Sequence, residues 1–261
     1  MQKAPYEGRT ALVTGGSGGI GFELARLFAR DGARLVLVAA RKEKLEAAAS
    51  EIAKESGRRP FILAKDLGLP ESPGEIFEEL SREGVRVDAL ANNAGFGLYG
   101  KFSSHDLGKT LKMVDVNVKA PVALTRLFLP GMLQRGYGRI LNVSSTAAFQ
   151  AIPVESVYAA SKSFLLLFSE AIAEELAGTG IRVTCLCPGP TRTGFFNGEM
   201  LPSKTVTRNM MDSREVARIG YEALCRGRAV VVAGFLNRAA TALERFLPRK
   251  TVVRLAGRVV K

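Results

Sequence analysis

Tyr158 and Lys162 stand four residues apart in the run Tyr158-Ala159-Ala160-Ser161-Lys162, and Ser145 precedes the tyrosine in the same stretch of chain. Residues four apart on a helix share one face, so the phenol and the ammonium can reach one small space. Free tyrosine ionises near pH ~10, too high for efficient proton exchange at neutrality. A neighbouring cation favours the phenolate and lowers that value, which would turn the phenol into a working acid and base. His105 is the one histidine of the chain, and its Ser-Ser-His-Asp setting reads as a helix start. Tyrosine is therefore the better candidate for acid-base chemistry.

A second group of residues suits a phosphate-bearing ligand. Thr14-Gly15-Gly16-Ser17-Gly18-Gly19-Ile20-Gly21 follows an apolar run and opens a helical one. Glycines there permit a tight turn and bring a pyrophosphate close to a helix N-terminus, whose N–H groups and dipole favour an anion. Gly15, Ser17, Gly19, Ile20 and Gly21 are the candidates in this turn.

Dinucleotide folds place an acid after the second strand to bind a ribose 2′-hydroxyl, or an arginine to take a 2′-phosphate. Here Val38-Ala39-Ala40 is followed by Arg41, which favours NADP(H) over NAD(H). The bland alternative is that Arg41 begins a solvated basic helix with Lys42 and Lys44. Asp66-Leu67 offers a carboxylate for an adenine amino group, and Asn92-Asn93-Ala94-Gly95 offers amides and small residues to a cofactor. Each of these, taken alone, is a turn.

The elements that must position these groups alternate along the chain. Strands are expected at Thr10 to Thr14, Arg34 to Ala40, Pro60 to Lys65, Val87 to Asn92, Gly138 to Ser144, Arg182 to Cys187 and Ala229 to Ala233. Helices are expected at Ile20 to Arg30, Lys42 to Ser56, Ser72 to Glu83, Asp106 to Arg135, Ser156 to Ala177 and Ser213 to Arg226. Repeated βαβ units imply an α/β fold with a Rossmann-like, doubly wound parallel sheet of about seven strands and helices on both faces. Gly32, Gly57, Gly84, Gly136, Gly178 and Gly227 stand where helix C-caps are needed. No linker, repeat or low-complexity block divides the 261 residues, so a single domain over residues 1–261 is expected.

Together these motifs resemble the short-chain dehydrogenases/reductases over nearly the whole chain. The family's Thr-Gly-x-x-x-Gly-x-Gly falls on Thr14, Gly15, Gly19 and Gly21, its Asn-Asn-Ala-Gly on Asn92 to Gly95, and its Tyr-x-x-x-Lys on Tyr158 and Lys162. The family serine falls on Ser145 and its asparagine on Asn117. A later Pro-Gly with a following threonine falls on Pro188, Gly189 and Thr193, which in relatives touch the nicotinamide carboxamide and the phosphates.

The resemblance implies carbonyl reduction by hydride transfer, or its reversal. Ser145 would bind the carbonyl oxygen and Tyr158 would protonate it. Lys162 would lower the tyrosine pKa and hold the nicotinamide ribose, and Asn117 would steady a water leading to Lys162. Simpler roles exist: Ser145 as the cap of a strand end, and Asn117 in a helix bend before Pro121. Many NADP-using relatives carry a basic residue inside the glycine turn, where this chain has Ser17-Gly18, so Arg41, with Ser17, would carry 2′-phosphate recognition. An NAD-dependent alcohol dehydrogenase of the same family and a noncatalytic dinucleotide sensor are the rival readings, and the four intact residues weigh against the sensor.

Residues 190 to 212 include Gly194-Phe195-Phe196-Asn197-Gly198, a glycine-flanked apolar stretch that suits a lid over the substrate. With Phe96, Leu98, Tyr99 and Phe149 it suggests an apolar ketone or aldehyde, an acyl chain included. The apolar run Phe164 to Phe168 on the helix of Lys162 suggests packing against a second subunit, as a homodimer or homotetramer.

The net charge is +12, and residues 238 to 261 hold seven basic residues against Glu244, half of that total. This basic amphipathic tail, with Leu243, Phe246, Leu247 and Val252 among its arginines, suits peripheral contact with an anionic membrane; a solvated face covering the subunit is the alternative. Nucleic-acid binding is not expected, because no groove-reading element accompanies the charge. The polar N-terminus and the shortness of every apolar run point to a cytoplasmic protein. Cys185, Cys187 and Cys225 form neither a Cys-x-x-Cys pair nor a zinc pattern, and no metal site is expected.

Overall fold

The computed structural model describes residues 5–196 and 210–259. Its strands are β1 (Thr10–Thr14), β2 (Arg34–Ala39), β3 (Phe61–Ala64), β4 (Ala89–Asn92), β5 (Gly138–Val143), β6 (Ile181–Cys187), β7 (Thr191–Arg192), β8 (Met211–Asp212) and β9 (Val230–Val232). Seven of them pair in parallel in the order β3-β2-β1-β4-β5-β6-β9, and β7 pairs with β8 apart from that sheet.

Alternate residues of a strand point to opposite faces, and here both faces are covered. Ala11 and Val13 of β1, with Leu35 and Leu37 of β2, enter one core with α1 (Gly19–Arg30), α2 (Lys42–Ser56) and the later α7 (Ser213–Arg226). Leu12, Val36 and Val38 enter the opposite core with α3 (Ser72–Arg82), α5 (Ala120–Gln134) and the end of α6 (Ser156–Glu175). Burial on two sides is why these strands read as continuous apolar runs. Gly57 and Gly227, with φ of 71° each, close α2 and α7 in the left-handed region that glycine enters at little cost.

The expected helix from Asp106 to Arg135 is α4 (Leu107–Val114) and α5 joined by one π-helical turn, Asp115–Lys119, which holds Asn117. Asp106 caps α4 by accepting from Lys109 N at 2.8 Å. In the tail, Pro248 separates α8 (Phe235–Leu243) from α9 (Arg249–Val259). The expected lid falls largely on residues 197–209, outside the described residues.

Strand order reverses between β1 and β4: β2 and β3 lie to one side, β5, β6 and β9 to the other. Parallel sheets bind ligands in the crevice at such a switch point, beyond the carboxyl ends of the strands. Those ends carry Thr14-Gly15 and Asn92-Asn93.

Candidate functional site

Two turns meet at the switch point and lock together. Thr14 Oγ1 accepts from Asn93 N and from Ala94 N, each at 3.0 Å. Asn93 Nδ2 donates to Thr14 O at 2.9 Å and to Gly15 O at 3.3 Å. A Cβ on Gly21 would stand 2.4 Å from both Gly15 O and Asn93 Nδ2, so only glycine lets α1 start this close to the turn. Gly18, by contrast, meets nothing within 4 Å and faces open space. No side chain caps α1 and no acid occupies its first turn. A glycine-walled space at an uncapped helix N-terminus fits a pyrophosphate.

A cleft of about 740 Å³ runs from this turn past the candidate catalytic residues. Gly15, Ser17, Gly19 and Ile20 line one end together with Arg41 and Lys44, both exposed. Asn93, Ala94 and Gly95 line it from β4. Pro188 and Gly189 line it just after β6 and Thr193 just after β7, and a Cβ on Gly19 would touch the Thr193 side chain at 3.0 Å. Ser145, Tyr158 and Lys162 complete the lining.

Asp66, Leu67, Gly21 and Asn117 stand outside that lining. The Asp66 carboxylate accepts from Lys112 Nζ at 2.6 Å and from Gly68 N at 2.9 Å. Its burial acts to raise its pKa, but these two donors outweigh that and hold it below the usual carboxylate range. Leu67 is buried in the core with α3 and α5. Asn117, 1% exposed, accepts from Phe96 N at 3.1 Å and donates to Phe96 O at 2.9 Å and to Ser161 Oγ at 3.1 Å. It thus fixes the loop after Gly95, where a Cβ would stand 3.0 Å from Asn117 Oδ1 and 3.2 Å from Lys162 Nζ.

Tyr158 and Lys162 are both buried on α6, and Lys162 Nζ donates to Val143 O at 2.9 Å, at the end of β5. Ser144, one residue further on, donates to Lys162 O at 2.7 Å and so belongs to the scaffold. Ser145 Oγ accepts from Ala147 N at 3.1 Å and caps the short turn Thr146–Phe149, leaving its hydroxyl at the cleft.

The electrostatics differ from the expectation drawn from the tyrosine-lysine spacing. Burial pushes the Tyr158 phenol well above its ordinary value, hydrogen bonding with Ser145 opposes that rise, and the charge of Glu155 adds to it. Burial also draws Lys162 down to about 8, against a smaller opposing influence of Cys185 and Cys187. Desolvation therefore sets the direction of the shift in both groups. Glu155, at the start of α6 and on the cleft wall, is pushed by burial up to about 7.

Part of the cleft wall is built by groups that the motifs did not indicate. Asn237 and Thr241 of α8, Glu244 just beyond it, and Val252 and Ala256 of α9 line the cleft. The helical spacing of 237, 241 and 244 was the available signal, but no chemical motif marked it. Phe195 lines the cleft with its ring centre 5.7 Å from that of Tyr158. Leu98, with Phe96 and Tyr99 against it, instead packs in a core beneath Tyr158, and Phe149 packs in another beside Cys185 and Cys187. Those two cysteines are buried, with sulfurs 3.8 Å apart.

Comparison with known proteins agrees with this fold. The family profile described as short chain dehydrogenase matches residues 9–214. A ketoacyl reductase, HetN, of a Nostoc species is 33% identical over 182 residues, 70% of this chain and 63% of that protein. A very-long-chain 3-oxoacyl-CoA reductase of Anas platyrhynchos is 36% identical over 190 residues, 70% of this chain and 60% of that protein. The chain therefore spans less than two thirds of the length of these relatives. A short-chain dehydrogenase from Sphingobium yanoikuyae, solved in complex with NADPH, superposes with a TM-score of 0.80 at 30% identity, covering 92% of this chain and 97% of that one.

Proposed function

We propose that this chain, which belongs to the short-chain dehydrogenase family of oxidoreductases, uses NADPH to reduce an apolar ketone to the alcohol. The observation that carries the reading is one continuous cleft. At one end it has an uncapped helix N-terminus with Arg41 and Lys44, at the other Ser145, Tyr158 and Lys162.

The nicotinamide, when bound, supplies the hydride. Ser145 and Tyr158 act on the carbonyl oxygen: the serine hydroxyl donates a hydrogen bond to it, and the phenol delivers its proton as charge develops there. A phenol kept protonated by burial is the form that a proton donor requires. Lys162, fixed by Val143 O, stands where it can hold a ribose and favour the phenolate left after proton transfer. Asn117 acts behind it by fixing the backbone of Phe96. Arg41, with Ser17, supports choice of the 2′-phosphorylated cofactor, because both line the end of the cleft nearest β2.

Phe195, Val252 and Leu255 on the cleft wall support an apolar substrate, 3-oxoacyl compounds included. Exposed Phe164 and Leu167 on α6, at 43% and 66%, with Leu107 and Leu111 on α4, support a homodimer or homotetramer built on these helices. Among the described residues no helix is long and apolar enough to cross a membrane.

The test is loss of the reduced-nicotinamide absorbance with a panel of ketones, aldehydes and 3-oxoacyl thioesters, using NADPH and NADH in parallel. Turnover of at least one carbonyl compound is expected, fastest with NADPH. Tight NADPH binding without turnover of any of them would favour a dinucleotide sensor instead.

A further inference from the structure

The two helices after β9 present different chemistry on their two sides. Inward, Asn237, Thr241, Val252 and Ala256 line the cleft. Outward, Phe235, Leu236 and Phe246 are 74%, 75% and 83% exposed, the three most exposed large apolar side chains among the described residues. Leu243 and Leu255 do both: they line the cleft and are half-exposed, so they mark its rim.

The same stretch carries Arg238, Arg245, Arg249, Lys250, Arg254 and Arg258, all exposed and none in an ion pair among the described residues. Its one acid, Glu244, faces inward, with Oε2 buried and a carboxyl whose burial raises its pKa. Apolar groups so exposed and so close in sequence call for an occupant. A second copy would bring an identical set of six cations against these six, which disfavours self-association through this face. An anionic bilayer accepts both features at once, with phenyl and leucyl groups entering the headgroup boundary and arginines meeting lipid phosphates.

We propose that α8 and α9 seat the protein on an anionic phospholipid surface. The rim formed by Leu243 and Leu255 then faces the bilayer, and an apolar carbonyl compound enters the cleft from the lipid. The seating stands on the exposed residues alone, whereas the delivery of substrate rests on the reductase reading above.

The experiment is flotation of the full chain with vesicles of phosphatidylcholine containing phosphatidylglycerol, and with vesicles of phosphatidylcholine alone. Wild type is expected to bind the anionic vesicles at least about tenfold more strongly, and salt should weaken that binding. F235S/L236S/F246S and R245E/R249E/K250E should each lose about tenfold or more. R34E/R58E/R86E alters a separate arginine-lined groove of about 550 Å³ at the amino ends of the strands, and should bind as wild type does. None of these substitutions falls in the cleft, so turnover of a water-soluble ketone should persist in all of them. Turnover of a ketone carried in the vesicles should fall only in the two tail variants.

No binding of wild type to anionic vesicles at low salt would overturn the proposal. So would equal loss in the groove variant, which would reduce the effect to net charge. Conversion of a wild-type oligomer to monomer by F235S/L236S/F246S in sedimentation would also overturn it, by showing that a second copy occupies the face. If vesicle binding behaves as expected but no ketone is turned over, the seating stands and the reductase reading fails.

Discussion

The Lys162 ammonium lies 5.9 Å from the centre of the Tyr158 ring and is held from the opposite element by Val143 O at 2.9 Å. The lysine is thus buried between the end of β5 and the face of α6 that carries the phenol.

That burial has a pH signature. Lys162 is lowered from 10.5 to about 8 in the folded protein, so between those values the unfolded chain binds more protons and this group adds stability as pH rises. Cys187, pushed up by its hydrogen bond with Cys185 and by burial, and Cys225, pushed up by burial, act in the opposite sense over part of the same range. Comparison with Lys162→Met separates the lysine from them. Relative to that variant, wild type should gain urea resistance between pH 8 and 10; parallel curves would show that the lysine is not depressed.

Glu155 gives the complementary case at lower pH. Its carboxyl is raised from 4.5 to about 7, so its contribution is present below pH 4.5 and is lost as pH rises through about 7. Glu155→Gln removes the cost of a poorly solvated charge. Its melting temperature should match wild type near pH 4 and exceed it at pH 8, by an amount equivalent to about 2 kcal/mol after allowance for partial exposure. A variant less stable than wild type at pH 8 would mean that the carboxylate has a stabilising partner.

Arg41 is exposed at the start of α2, on the wall of the cleft. A charged hydrogen bond to a 2′-phosphate is worth about 1.5–3 kcal/mol, so Arg41→Asp should lower kcat/KM for NADPH by about tenfold to a hundredfold. Its kcat/KM for NADH should hold or rise. Equal losses with both cofactors would remove the arginine from phosphate recognition.

Much of this molecule is legible from sequence because its strands are buried on both sides and helices such as α2 and α7 close on glycine. The seven apolar runs fall on the seven strands of the parallel sheet, although β3 and β9 start one residue late, β4 two residues late and β6 one residue early. The β7–β8 pair was not legible: two residues per strand are too few to show a pattern. Neither was the π turn at Asn117, because the widened turn serves contacts with Phe96 and Ser161 that lie far away in the chain.

Long-range contact also decides the surroundings of Asp66. Its end-of-strand position suggests adenine, whereas its carboxylate is engaged by Lys112, which α4 brings across to it. The tail reads as a basic surface because its arginines dominate the composition. Its inner side carries Asn237, Thr241, Glu244 and small or apolar residues, which no motif distinguishes from ordinary packing. The rise in the Tyr158 pKa belongs to the same class of effect, since desolvation depends on neighbours that spacing along one helix does not report.

The proton on the Tyr158 oxygen is the centre of the account, and Tyr158→Phe removes it while keeping the ring that packs beside Phe195. Single-turnover reduction of a ketone by bound NADPH should slow by about a hundredfold to ten-thousandfold in this variant, with NADPH affinity unchanged. Reduction at the wild-type rate, with the fold intact, would contradict it.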